Sequence, residues 1–314
     1  MPVLRILHLS DLHLAGIYRA QYELIDKFTG LLSVYNPDVL YTIVQFIFER
    51  SKKIDAILIS GDLVVTGSES DLRHAIDFFD APSNFFRKEP WLSSRREPTL
   101  KIFDKPIIIV PGNHDRFHNL SGWPGSLFYT YFSSYWGKGI GGIQYHLLPD
   151  ENNPSLAIIS CDFTLDSITD CSVWPGYYGQ GKVYKNRLHN LVETTETVIN
   201  ANPSCAVVWM IHFAPHFEEN YDLNEYMWLL GADDLIESAE KIGIEHIFCG
   251  HTHQFKIYSI RNIKIHCAGT CTCIKSNNDT TIHLIDISIE NSRINRIASL
   301  NLVWDSDNQV FLPR

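Results

Sequence analysis

Residues 107–116 read Ile107-Ile108-Ile109-Val110-Pro111-Gly112-Asn113-His114-Asp115-Arg116. An apolar run of strand length is cut off by Pro-Gly, a pair that punctuates a chain rather than continuing a central strand. An amide, an imidazole and a carboxylate then stand side by side. Core packing has no use for such a set, whereas a polar crevice at the end of a buried strand does. The same junction recurs four times. Residues 3–9 run into Ser10-Asp11-Leu12-His13, residues 56–59 into Ser60-Gly61-Asp62, residues 207–211 into His212, and residues 247–249 into Gly250-His251-Thr252-His253. Each run is short and rich in Ile, Val or Leu, as strands buried on both faces are.

Between these runs lie segments with helical periodicity, at 39–53, 70–79, 186–200 and 233–242. The first ends in basic residues and the last is stopped by Gly243, as helix C-termini are. The second begins with Ser70 and Asp71, which suit a cap. Further strand-like runs occupy 156–159, 263–267 and 281–287, and no helical pattern follows residue 256. Strand–helix alternation predicts an α/β fold with ligands outside the carboxyl ends of the strands. Five such ends, placed next to one another, converge on one crevice.

The gathered groups are two carboxylates (Asp11, Asp62), four imidazoles (His13, His212, His251, His253) and the amide of Asn113. Mixed nitrogen and oxygen donors suit divalent Mn, Fe or Zn and suit Ca poorly. Seven donors exceed what one tetrahedral ion takes and fit two ions that share a carboxylate. Asp11-x-His13, read as extended chain, puts both side chains on one side. His251-x-His253 reaches both ions if the chain turns at Thr252. Gly61, Gly112 and Gly250 allow tight backbone turns at these places.

The composition is that of a globular protein: 314 residues, 45% hydrophobic, 20% charged. A net charge of −10 opposes an extended nucleic-acid surface. Two carboxylates cannot neutralise two divalent ions, however, so the crevice itself would stay attractive to a phosphoester. Apolar runs fall short of the roughly 18 residues needed to span a bilayer. With no charged leader before residue 3, the expected location is the cytoplasm. Seven scattered cysteines read as buried thiols rather than a disulfide framework.

Asp-x-His, Gly-Asp, Gly-Asn-His-Asp, a lone His and Gly-His-x-His, in that order from residue 11 to residue 253, resemble the signature of the calcineurin-like metallophosphoesterase superfamily. The resemblance implies a four-layer α/β sandwich, two mixed β-sheets packed face to face with helices outside. It implies one domain over 1–314, whose strands from about residue 256 complete the second sheet. It implies that Asp11, His13, Asp62 and His253 hold one metal ion and that Asp62, Asn113, His212 and His251 hold the other. His114 would sit over the substrate phosphoryl group, oriented by Asp115, and a hydroxide shared by the ions would attack phosphorus.

Within the superfamily, Gly61-Asp62-Leu63-Val64-Val65-Thr66-Gly67 lacks the arginine of the Gly-Asp-x-Val-Asp-Arg-Gly stretch of protein Ser/Thr phosphatases. The chain is most similar to the class III cyclic-nucleotide phosphodiesterase branch, in the run from His212 through the 233–242 helix to Gly250-His251. That similarity implies hydrolysis of a phosphodiester in a small substrate, such as a 3',5'-cyclic nucleotide. The alternatives are a UDP-diacylglucosamine-type pyrophosphatase, a repair-type nuclease, or a non-catalytic scaffold.

Other residues read as structural. His8 faces the core or the far side of the sheet, His216 the surface, and Arg116 the solvent. Cys271 and Cys273 read as packed thiols. The 171–185 loop, with Trp174, and the 81–105 connection are expected to shape the cleft.

Overall fold

The computed structural model describes residues 3–14, 36–80, 99–116, 125–136, 142–167, 170, 179–216, 227–272 and 280–314. The aromatic loop around Trp174, Cys273 and most of the 81–105 connection lie outside the described residues.

The apolar runs that end in polar residues become neighbouring parallel strands. β1 (Val3–Leu9), β2 (Ala56–Ile59) and β3 (Ile107–Ile109) lie side by side, so their carboxyl ends share one edge. In the second sheet β5 (Leu156–Cys161), β7 (Ala206–Met210) and β9 (His246–Cys249) are likewise parallel neighbours. An edge strand, β4 (Ile143–Leu148), runs antiparallel to β5. On the opposite side β11 (Ile263–Cys267) pairs parallel with β9, and β10 (Lys256–Ile260) pairs antiparallel with β11. Two short strands, β6 (Gly181–Lys182) and β8 (Leu229–Leu230), form a separate ribbon.

The strands from about residue 256 do not all complete the second sheet. β12 (Thr281–Glu290), β13 (Arg293–Asp305) and β14 (Val310–Pro313) build the first sheet instead, whose order is β14-β13-β12-β1-β2-β3. The reason is nonlocal. β1 needs a partner on the side away from β2, and β12 supplies it antiparallel, from Val3 opposite Ser288 to His8 opposite His283. In that register Ile285, Ile287 and Ile289 join the core between the sheets.

Period-two alternation divides each strand between two cores. Leu4 and Ile6 of β1 face the inter-sheet core with Leu156, Ile158, Val208, Met210 and Phe248. Leu7 and Leu9 face outward, against α1 (Pro37–Arg50) and α2 (Glu69–Asp80). On the other side Ile159, Trp209 and Ile247 pack against α5 (Lys185–Ala201) and α6 (Ala232–Lys241). The result is the predicted helix–sheet–sheet–helix sandwich. The cap of α2 is Ser68 rather than Ser70, because Ser68 Oγ accepts the Asp71 N–H at 3.2 Å. Two short helices, α3 (Asn113–Arg116) and α4 (Leu127–Tyr131), follow β3. The five cysteines among the described residues are free and buried.

Candidate metal centre

The first sheet brings Asp11, His13, Asp62 and Asn113 to its carboxyl edge, and the second brings His212, His251 and His253. The backbone at these places is held in a conformation that residue types alone do not announce. Asp11, His13, Asp62, His251 and His253 all have positive φ, between 44° and 72°. Such left-handed positions cost non-glycine residues about 1–3 kcal/mol each and cluster where function requires them. Asp11-x-His13 is therefore a left-handed turn, which corrects the extended reading. The turn runs alongside the residues after β2, with Asp11 N donating to Gly61 O at 3.0 Å, His13 N to Asp62 O at 3.0 Å and Leu14 N to Leu63 O at 2.7 Å.

The side chains fall into two groups that share Asp62. One contains Asp11, His13, Asp62 and His253, and the other Asp62, His212 and His251, with donor atoms of each group within 4.8 Å of one another. In the first, His13 Nε2 lies 3.2 Å from His253 Nε2, which lies 3.3 Å from Asp11 Oδ1. In the second, His212 Nε2 lies 3.4 Å from Asp62 Oδ2, 3.1 Å from Asn113 Oδ1 and 3.1 Å from His251 Nδ1. Donors about 2.1 Å from an ion and 90–110° apart stand about 3.0–3.4 Å from each other. The observed separations match that edge length. Two facing pairs of ring nitrogens, each with a carboxylate oxygen within 3.4 Å, make a donor shell that a cation fits.

The electrostatics fit as well. Burial drives the His13 pKa down to about 3, and burial with the neighbouring His212 does the same to His251, so both rings are neutral with free lone pairs. Burial works to raise the Asp11 pKa, but His253 outweighs it and holds the carboxyl ionised, at about 2. Burial opposes charge on His212 too, yet Asp62 prevails and pushes its pKa up to about 9. The field that retains a proton there favours any cation. Ser60 O accepts from His212 Nδ1 at 2.7 Å, which fixes the tautomer and turns Nε2 to the centre.

Glycines leave room for this packing. A Cβ on Gly112 would stand against Asp62 Oδ1 and 2.6 Å from Asp62 N; one on Gly61 would lie 2.7 Å from His212 Cγ. Gly112→Ala is expected to destabilise the metal-free protein by about 1–3 kcal/mol and to weaken metal uptake, read by thermal denaturation and elemental analysis. Unchanged values of both would refute a tight fit around Asp62.

His114 lies edge-on to His13, with ring centroids 4.8 Å apart. Its N–H donates to Asp62 Oδ1 at 2.9 Å and its Nδ1 to Val65 O at 2.7 Å. The residue that orients the ring is thus Val65, not Asp115, a further correction. Asp115 is buried and accepts from Val64 N at 3.0 Å and Gly112 N at 2.8 Å, which ties down the loop that carries Val65. Its influence on His114 is one residue removed because its carboxylate is consumed by backbone N–H groups.

Three other residues are placed outside the centre. His8 is buried, with Nε2 2.9 Å from Ser60 Oγ. His216 is half exposed and lies 2.9 Å from Asp233. Arg116 is buried rather than solvated and forms an ion pair with Asp162. The sequence pattern passes over Asp162, although the signal is present: it follows the apolar run of β5 as Asp62 follows that of β2. No helix among the described residues is long and apolar enough to cross a membrane.

Residues 4–255 match the family profile described as calcineurin-like phosphoesterase. Among solved structures, a dimetal phosphatase from Danio rerio is similar at a TM-score of 0.54 and 11% identity, with 95% of this chain and 99% of that one covered. A purple acid phosphatase from yellow lupin gives 0.58 and 13%, covering 99% of this chain and 53% of that one. A putative 5'-nucleotidase from Staphylococcus aureus gives 0.51 and 11%, covering 99% and 54%. At these identities the likenesses concern the fold alone. A search of curated proteins finds no match.

Proposed function

The chain belongs to the calcineurin-like phosphoesterase family, and from that premise we propose that it is a two-metal phosphodiesterase acting on a small substrate, with 3',5'-cyclic nucleotides as the first class to test. The observation that carries this reading is the gathering of donors from both sheets into two groups with Asp62 common to both. Asp11, His13, Asp62 and His253 would hold one ion and Asp62, Asn113, His212 and His251 the other; Mn, Fe and Zn all suit these donors. When bound, a pair of divalent ions supplies a nucleophile at neutral pH and charge to offset that of the phosphoryl oxygens.

The chain's own residues do the rest. His114 Nδ1 donates to Val65 O, so the ring acts as general acid in its imidazolium form: the Nε2 proton passes to the leaving oxygen and leaves the neutral Nδ1–H tautomer, still bonded to Val65 O. Asp62 binds the His114 backbone as well as the centre, which couples the acid to the metal ligands. Asp115 keeps the Val65 loop in place. Arg116, the arginine nearest His114 in sequence, spends its charge on Asp162. Its charge is therefore not offered to the substrate, which suits a diester with one negative charge better than a monoester with two.

The test is elemental analysis of the purified protein together with hydrolysis assays in Mn, Fe and Zn. Two ions per chain are expected, with bis-p-nitrophenyl phosphate turned over faster than p-nitrophenyl phosphate. Absence of both metal and hydrolysis would identify a scaffold. Preference for linear duplex DNA or for a nucleoside diphosphate lipid over cyclic nucleotides would move the assignment to a nuclease or a pyrophosphatase.

A further inference from the structure

His114 is the one proposed catalytic group that no metal ion would hold. Its two anchors, Asp62 Oδ1 and Val65 O, both follow β2 of the first sheet. His212, His251 and His253 come from the second. A phosphoryl group held across both sheets meets His114 correctly only if the α3 turn is fixed relative to the second sheet.

The last residue of that turn makes the connection. Arg116 Nη1 pairs with Oδ2 of Asp162, the first residue beyond β5. Tyr129 of α4 donates its hydroxyl to the same oxygen at 2.5 Å, receives Arg116 Nη1 at 3.1 Å, and lays its ring 4.9 Å from the guanidinium. Arg116 Nε donates to Gly125 O at 2.8 Å, and Gly125 N returns a bond to Arg116 O at 2.7 Å. From the other side, Arg187 of α5 gives Nη1 to the Asp162 carbonyl at 2.9 Å and to Thr164 O at 3.0 Å. Thr164 N donates to Asp162 Oδ1 at 2.8 Å. Arg116 is 8% exposed and Asp162 0%, a degree of burial rare for charged residues.

A buried ion pair is a weak source of stability, because desolvation offsets attraction and apolar residues of equal volume pack as well. What it supplies is direction, since a guanidinium fork accepts a carboxylate in one geometry. We propose that the Arg116–Asp162 pair, braced by Tyr129 and Arg187, is the positioning element that sets His114 against the substrate phosphoryl group, Arg116 acting through His114 rather than by binding phosphate. This rests on the phosphodiesterase reading above.

The experiment compares the metal-loaded wild type with Asp162→Asn, Arg116→Lys and the volume-matched apolar pair Arg116→Met/Asp162→Leu. In the apolar pair, metal content is expected to stay near wild type, while the melting temperature falls because Tyr129 Oη, Thr164 N and Gly125 O lose these partners. Its kcat on diphenyl phosphate, whose leaving group needs a proton, is expected to fall by about 10²-fold. The fall on bis-p-nitrophenyl phosphate, whose leaving group needs little help, is expected to be no more than about tenfold, with KM within about twofold. Arg116→Lys, which keeps the charge, should recover part of the difference. A readout independent of turnover is histidine-selective NMR of the metal-free protein, where the His13–His114 ring cross-peak should weaken in Asp162→Asn. If that variant fails to fold, the apolar pair replaces it in the comparison.

Equal losses with both leaving groups, a loss that follows metal content, or an unchanged kcat would overturn the proposal. Failure of the wild type to hydrolyse either diester would instead sink the phosphodiesterase reading. The NMR comparison then still decides whether the pair positions His114: a weakened cross-peak supports this and an intact one refutes it.

Discussion

Asp62→Ala is expected to lose both metal ions and to reduce turnover of a diester to background. The carboxylate belongs to both donor groups and is buried, with Oδ2 3.4 Å from His212 Nε2 and Oδ1 bonded to the His114 backbone. Its removal subtracts one ligand from each ion, one of two negative charges, and the bond that ties α3 to the centre. A ligand present at a thousandfold over its dissociation constant stabilises a fold by about 4 kcal/mol. Metal titration should therefore raise the melting temperature of the wild type and leave that of Asp62→Ala unmoved. Position 62 has φ of 52°, so alanine there also carries backbone strain. Asp62→Asn, which tolerates that conformation better, separates the two effects: it should regain stability in the metal-free state without regaining the metal-dependent shift. Two tightly held ions in either variant would disprove a shared carboxylate.

Much of this centre is legible because its chemistry restricts residue type. Asp, His and Asn directly after Ile- and Val-rich runs have no packing role, and parallel strands must place such ends together. What escapes the sequence is nonlocal or conformational. Nothing in Ser10-Asp11-Leu12-His13 announces two left-handed residues; they become tolerable because the neighbouring 61–63 backbone accepts three hydrogen bonds from the turn. β4 contains Gln144, Tyr145 and His146, which break the apolar pattern, and it forms because β5 offers it an open edge. The division of β10–β14 between two sheets depends on which edges remain unpaired, which no local pattern encodes. Arg116 reads as solvated until Asp162, Tyr129 and Arg187 are seen around it.

His114→Ala is the complementary case, in which turnover falls and metals remain. The variant keeps the backbone N–H that holds Asp62 and leaves Asn113 in place, so neither donor group loses a member. What disappears is the ring beside His13 and the proton at Nε2. General acid catalysis contributes about 10²–10⁴-fold, and a loss of that size in kcat is expected, with two ions per chain still found by elemental analysis. The loss should grow as the leaving group becomes more basic, since a poor leaving oxygen depends most on receiving a proton. Asp115→Asn supplies the contrast. Its carboxylate serves Val64 N and Gly112 N rather than the ring, so its effect should appear mainly as lower thermal stability, with little dependence on the leaving group. A steep leaving-group dependence in Asp115→Asn would restore Asp115 as the partner of His114. A flat one in His114→Ala would assign proton transfer to another residue.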